Sequence, residues 1–256
     1  MKTKSVYHLG LSKKDIESAK FVFLPGDPAR VEKIAKSFDS QSKFLIQKRE
    51  YCSYLGKINN VPILVTSTGI GGASTSIAVD ELSQLGIKTF LRVGTTGAIS
   101  PKIEIGDVII TTGSVRLDGV SNHYAPIEYP AVSCYEVIDA LVKSSIKSKI
   151  KFHVGITASS ATFYPGQERY DSYSKYVIRN FQGSNLEWEK LNVLNYEMES
   201  ATLLTMASAF GLKAGCITGV VNKRVKSEKI TKKHLEMGEK NVIEVAIEAM
   251  KILIKN

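Results

Sequence analysis

Leu91-Arg92-Val93-Gly94-Thr95-Thr96-Gly97-Ala98-Ile99 sets an arginine inside an apolar run and follows it with a pair of glycines. Residues 89–93 read as a buried strand. Gly94 and Gly97 read as a tight turn that bares backbone N–H groups. A guanidinium within such a run costs on the order of several kcal/mol unless it is paired or faces a ligand. The stretch is compatible with both: Arg92 against a buried carboxylate, or Arg92 in a binding site. The carboxyl end of a strand is where open α/β sheets place their ligands.

Upstream, residues 61–68 form an apolar, β-branched run that reads as a strand. It ends in Ser67-Thr68-Gly69-Ile70-Gly71-Gly72 before a helix over 73–85. The glycine spacing and the lack of a closing acidic residue exclude a Rossmann dinucleotide site. Residues 20–24 read as another strand, turned by Pro25-Gly26-Asp27-Pro28 into a helix carrying Val31, Ile34 and Ala35. Asp27 suits the N-cap and Pro28 the first helical position. Gly26 lets the backbone approach a ligand, and the new helix favours an anion there. Arg30 opposes the helix dipole unless an anion docks beside it or it faces solvent. Residues 44–55 read as one antiparallel strand around Arg49, Glu50 and Tyr51, with Asn59-Asn60 turning out of it.

Downstream, the pattern predicts a strand over 105–112, irregular loops over 113–133, a helix over 135–142 and a strand over 152–159. Residues 162–173 are dense in aromatics and hydrogen-bonding side chains. They suit either a clamp on a planar heterocycle or a proline turn into an amphipathic helix. Residues 195–210 read as a helix with Met198, Ala201, Thr202, Thr205 and Ala209 on one face. Glu197 and Glu199 near its start read as dipole partners, or Glu199 as a ligand for sugar hydroxyls. A strand over 212–221, a lysine-rich mobile lid over 225–233 and a helix over 234–254 close the chain. Without repeat or linker, one domain over 1–256 is the simplest count.

The 256 residues are 43% hydrophobic, enough for one sizeable α/β core. The net charge of +9 is carried by scattered lysines rather than a basic run interleaved with aromatics, so nucleic acid is not an expected partner. Cys52, Cys134 and Cys216 show no zinc or redox spacing and point to a reducing cytoplasm. His8, His123, His153 and His234 form no metal-ligand pattern. No apolar run approaches the ~20 residues of a membrane span.

His8-Leu9-Gly10-Leu11, Pro25-Gly26-Asp27-Pro28-Ala29-Arg30-Val31, the 67–72 glycine segment and Thr89-Phe90-Leu91-Arg92-Val93-Gly94-Thr95-Thr96-Gly97-Ala98 resemble the hexameric nucleoside phosphorylases. Phe163-Tyr164-Pro165-Gly166-Gln167-Glu168-Arg169-Tyr170-Asp171 and Asn195-Tyr196-Glu197-Met198-Glu199-Ser200-Ala201 narrow the resemblance to the members that act on uridine. It covers nearly the whole chain. It implies a three-layer α/β/α domain around a mixed, partly closed sheet, and a dimer-based hexamer whose sites are completed by neighbouring subunits. It further implies reversible phosphorolysis of uridine to uracil and ribose 1-phosphate, with phosphate as co-substrate and no required cofactor. Gly26, Arg30, Arg92 and Thr95 then correspond to phosphate ligands, and Arg49 to an arginine donated across the dimer interface. His8 corresponds to the neighbour's contact to the ribose 5′-hydroxyl, and Met198 and Glu199 to further ribose contacts. Phe163, Gln167 and Arg169 correspond to the base clamp and Arg224 to a further arginine near the base. Glu50, Ile70 and Ser74 match positions that hold a monovalent cation such as K+ between subunits in some relatives.

The chemistry of these residue types agrees. Arginine forks suit a tetrahedral oxyanion. The Gln167 carboxamide offers one donor and one acceptor to the O2 and N3–H edge of uracil, and Arg169 can face O4. Val221-Asn222-Lys223-Arg224 departs from the Val-Asn-Arg common in relatives, by Lys223. The alternatives are a purine nucleoside phosphorylase, which would carry an Asp after the last strand, and a broad-specificity pyrimidine enzyme.

Overall fold

In the computed structural model, which describes residues 5–224 and 230–255, the chain runs through β1 (Phe21–Leu24), α1 (Ala29–Phe38), β2 (Lys43–Lys48), β3 (Tyr51–Ile58), β4 (Val61–Thr66), α2 (Gly72–Leu85) and β5 (Thr89–Ala98). It continues through β6 (Val108–Leu117), β7 (Ala131–Val132), α3 (Tyr135–Ser148), β8 (Phe152–Ser160), α4 (Ser184–Lys190), β9 (Val193–Glu197), α5 (Ser200–Ala209), β10 (Lys213–Lys223) and α6 (Lys232–Leu253).

All the strands join one mixed sheet, and β5 is its branch point. β5 pairs in parallel with β10 along its length and with β1 from Thr89 to Arg92. It then meets β9 antiparallel at Gly97 and Ala98. The circuit β5–β10–β6–β8–β9 closes into a barrel, while β1, β4, β3 and β2 continue as an open sheet. Residues 93–96 of β5 therefore have no strand partner on the edge that β1 leaves and β9 has not yet reached. That gap faces the turn after β1.

Strand alternation sends successive side chains to opposite faces. Phe23, Leu91 and Val93 pack with Val31 and Ile34 of α1, Leu141 of α3 and Val245 and Met250 of α6. Val22, Leu24 and Phe90 pack with Val79 and Leu82 of α2 and Leu203 and Met206 of α5. The three-layer arrangement around a partly closed sheet is thus the expected one. The Asn59-Asn60 turn holds too, with Ile58 opposite Val61 and both asparagines left-handed. Asp27 Oδ1 accepts from Ala29 N–H at 2.9 Å at the start of α1.

Several expectations are corrected. The strand over 89–93 does not end at a glycine turn, because β5 continues through both glycines and neither has a positive φ. Their role is close approach: a Cβ on Gly94 would lie 2.9 Å from Arg92 Nη2, and one on Gly97 2.5 Å from Asn222 Oδ1. Residues 44–55 are two strands of a hairpin, turned at Arg49 (φ 56°) and Glu50. The strand over 105–112 lies later and runs to Leu117, and the helix from Tyr135 runs on to Ser148. The loop beyond β6 is ordered by Arg116, which donates to Ser121 Oγ at 2.9 Å, Ala125 O at 2.8 Å and Tyr129 O at 2.7 Å.

Residues 195–210 divide into β9 and α5, with Met198 and Glu199 at the junction. α5 is buried all round through Ala207, so no single face defines it. Of the lid over 225–233, residues 225–229 lie outside the described residues, and Thr231 caps α6 by accepting from His234 N–H at 3.2 Å. Among the described residues no helix is long and apolar enough to cross a membrane.

Candidate active site

The gap beside β5 opens into a cavity of about 610 Å³. The carboxyl ends of β1, β4, β9 and β10 surround it, so the sheet brings together loops far apart in the chain.

Arg92, near the middle of β5, is only 4% exposed. Its Nε donates to Glu197 Oε2 at 2.8 Å, and its Nη2 pairs with Glu199 Oε2. Nη1 has no partner among the described residues. Both readings of this arginine are therefore met at once: two nitrogens hold buried carboxylates and the third is left for the cavity. Burial would pull the guanidinium pKa down, but Glu199 and Glu197 outweigh it and hold the pKa above its ordinary value.

Arg30, from the first turn of α1, approaches the same point. Its Nε lies 3.8 Å from Glu239 Oε1, and its Nη1 likewise has no partner among the described residues. A Cβ on Gly26 would lie 3.8 Å from Arg30 Nη2 and 4.0 Å from Arg92 Nη1. The bare glycine thus floors a recess rimmed by two guanidinium groups. Burial, and after it the neighbouring Arg92, pull the Arg30 pKa down against the opposing pull of Glu239, Asp27 and Glu199. Thr95 lines the same wall.

Glu199 forms the next wall. Its Oε1 accepts from Gly71 N–H at 2.5 Å, which ties the start of α5 to the start of α2. Burial pushes its carboxyl up, Arg92 pulls it down and Glu197 adds to the rise, leaving it above the usual glutamate value. Glu197, which the sequence marked only as a dipole partner, accepts from the N–H groups of Glu199 and Ser200 as well as from Arg92. It therefore caps the start of α5 and orients the arginine together. Beneath, Asn195 donates to Thr96 Oγ1 at 2.8 Å and accepts from Thr157 Oγ1 at 2.9 Å, locking β9 to β5 and β8.

The opposite end of the cavity is aromatic. The Arg169 guanidinium lies 4.1 Å over the Phe163 ring. Gln167 is 3% exposed and sits in a short 3₁₀ turn from Pro165, with its carbonyl accepting from Arg224 Nη2. Glu168 accepts from Gly183 and Asn185 N–H groups and so anchors this turn to α4. Of the two readings of residues 162–173, the amphipathic helix does not form after Pro165, and Phe163, Gln167 and Arg169 line the cavity. The Lys223 departure also has a structural account: Lys223 Nζ turns away to Glu104 Oε1 at 2.7 Å, while Arg224 turns inward over Tyr196. A register shift between Val220 and Asn222 accommodates it.

Gly26, Arg30, Arg92, Thr95, Phe163, Gln167, Arg169, Met198 and Glu199 thus share one cavity, with Glu50 and Ile70 at the same wall. His8 and Arg49 do not line it: His8 is bound to Glu81, and Arg49 is exposed at its hairpin turn. Ser74 stands behind Ile70, its Oγ 3.3 Å from the Ile70 carbonyl. The sequence did not single out Tyr196, Asn222 or Ile230 as cavity residues.

The sequence model of the Phosphorylase superfamily matches residues 20–255, and the chain belongs to that family. Among its relatives, the uridine phosphorylase of Escherichia coli (strain K12) is 51% identical over 254 residues, covering 99% of this chain and 100% of that protein. The uridine phosphorylase of Thermococcus kodakarensis is 45% identical over 249 residues, covering 96% of this chain and 86% of that one. The guanosine phosphorylase of Halorubrum lacusprofundi is 36% identical over 213 residues, covering 83% and 81%.

Proposed function

We propose that the chain catalyses the reversible phosphorolysis of uridine to uracil and ribose 1-phosphate. One observation carries this reading: the Arg30 and Arg92 guanidinium groups converge over Gly26, each with an Nη1 that has no partner among the described residues, in the same cavity as Glu199 and the Phe163–Gln167–Arg169 cluster. The near-full-length likeness to uridine phosphorylases supports it.

Phosphate seats on Arg30, Arg92, Thr95 and the Gly26 turn, beneath a ribose held by Met198 and Glu199. It attacks C1′ as the C1′–N1 bond breaks and the bonding pair passes to the uracil ring. Positive charge developing on the sugar is stabilised by the phosphate below it and negative charge on the base by Gln167 and Arg169, with Arg224 holding Gln167 in place. Measured by uracil release, turnover should require phosphate. Equal rates without it would mean hydrolysis.

The charge balance argues for a second copy. Arg92 already faces Glu197 and Glu199, and Arg30 faces Glu239. A phosphate dianion needs a further cation, and Arg49 donated from a neighbour supplies it. The same assembly brings His8 to the neighbour's ribose, consistent with a dimer-based hexamer in the cytoplasm. Glu50, the Ile70 carbonyl and Ser74, gathered around Gly69, form an oxygen set suited to a hard cation such as K+. A purine reading draws on the guanosine relative alone, and a screen of uridine, thymidine, inosine and guanosine with and without phosphate separates the two.

A further inference from the structure

One buried carboxylate ties down the amino-terminal segment. Glu81 lies within α2 and is 7% exposed. Its Oε1 accepts from His8 N–H at 2.8 Å and meets His8 Nδ1 at 2.7 Å, and its Oε2 accepts from Leu9 N–H at 2.8 Å. A carboxylate at such a position is costly unless hydrogen-bonded. Here its hydrogen-bond partners among the described residues all come from His8 and Leu9. Burial pushes the Glu81 carboxyl up, but the N–H groups of Leu9 and His8 outweigh this and hold it below the usual glutamate value.

An ionised carboxylate only accepts, so the proton between Nδ1 and Oε1 belongs to the imidazole. The neutral ring is then the Nδ1–H tautomer and Nε2 is an acceptor. Nε2 has no partner among the described residues. Tyr7 packs edge-on against the ring at 4.8 Å, and Lys48, next in the chain to Arg49, lies 4.9 Å over the Tyr7 ring. The imidazole is therefore fixed in orientation and, when neutral, in tautomer, yet its Nε2 serves nothing among the described residues of its own chain.

We propose that Glu81 is a positioning residue that holds His8 as an Nε2 acceptor, so that the site of a neighbouring copy selects a hydrogen-bond donor at the nucleoside 5′ position. This rests on the reading of His8 given above. It deepens that reading into a specificity rule. A free 5′-hydroxyl can donate to Nε2. A 5′-ether or the dianionic phosphate of a nucleotide offers acceptors only and is disfavoured.

Two measurements test it. In long-range ¹H–¹⁵N spectra of the unmutated protein with ¹⁵N-histidine, at mildly alkaline pH, His8 Nε2 should resonate as an unprotonated nitrogen. A protonated Nε2 overturns the proposal, and this holds whether or not any variant folds. In Glu81→Gln the amide can donate to Nδ1 and move the ring proton to Nε2. The preference for uridine over 5′-O-methyluridine in kcat/KM should shrink about tenfold, with KM for phosphate unchanged. An unchanged preference in a folded Glu81→Gln protein overturns the proposal. His8→Ala separates the two levels. If it leaves the preference for uridine over 5′-deoxyuridine intact, His8 does not reach a sugar and the proposal fails with its parent reading. If it abolishes that preference while Glu81→Gln changes nothing, only the role of Glu81 fails.

Discussion

Arg92 divides its nitrogens among Glu197, Glu199 and the open cavity, and each assignment has a measurable consequence. On the proposed function, Arg92→Ala removes a phosphate ligand, and it leaves two buried carboxylates without their cation, so kcat/KM should fall by about 10²–10³-fold. Gln167→Ala should instead raise KM for uridine about tenfold and leave KM for phosphate unchanged. A matching rise for phosphate would remove Gln167 from the base end. Glu199 supplies a pH test. It must be ionised to hold Arg92, and its carboxyl sits above the ordinary glutamate value of about 4.3. Activity should therefore fail on the acid side at a higher pH than a free glutamate would dictate, and Glu199→Gln should abolish that limb of the pH–rate profile. Because the folded state holds this proton more tightly, the group's contribution to stability is largest at low pH and declines as pH rises through the window between the two values.

At the scale of elements, the site exists because β5 exchanges one neighbour for another midway along its edge. The other edge stays paired with β10, and α6 presses against β10 through two glycines. A Cβ on Gly219 would lie 2.1 Å from Gly238 O, and Gly219 stands opposite Thr95. Gly219→Ala should therefore lower stability by about 1–3 kcal/mol in thermal or chemical denaturation and raise KM for phosphate, because α6 also carries Glu239 behind Arg30. Which elements form was largely legible in the chain: the Asp27-Pro28 start, the Asn59-Asn60 turn and the apolar strands act within a few residues. The failures share one cause. Asn195 interrupts the apolar pattern of β9, and its amide is satisfied by threonines from β5, β8 and β10. Gly94 and Gly97 resemble a turn locally but are small because Arg92, Thr218 and Asn222 pack against them.

At the scale of the whole molecule, the single chain sets Arg30 against Glu239 and Arg92 against Glu197 and Glu199 around the proposed phosphate recess, and neither His8 nor Arg49 lines that cavity. If sites are shared between copies, co-assembly of Arg49→Ala with Arg92→Ala should restore activity that neither variant has alone. One site in each mixed dimer would then be intact, or about a quarter of all sites after random pairing. No recovery in verified mixed oligomers would place Arg49 outside the site. By itself the sequence determined most of the strands and helices and the Asn59-Asn60 turn, since periodicity and turn chemistry are local, while the layers and the cradle were legible through the family resemblance. Only the tertiary structure decided that β5 runs through its glycines, that Glu197 orients Arg92, and that Lys223 turns out while Arg224 turns in. Those outcomes depend on partners remote in the chain, 105 residues apart for Arg92 and Glu197, and on where separate strands leave an edge unpaired.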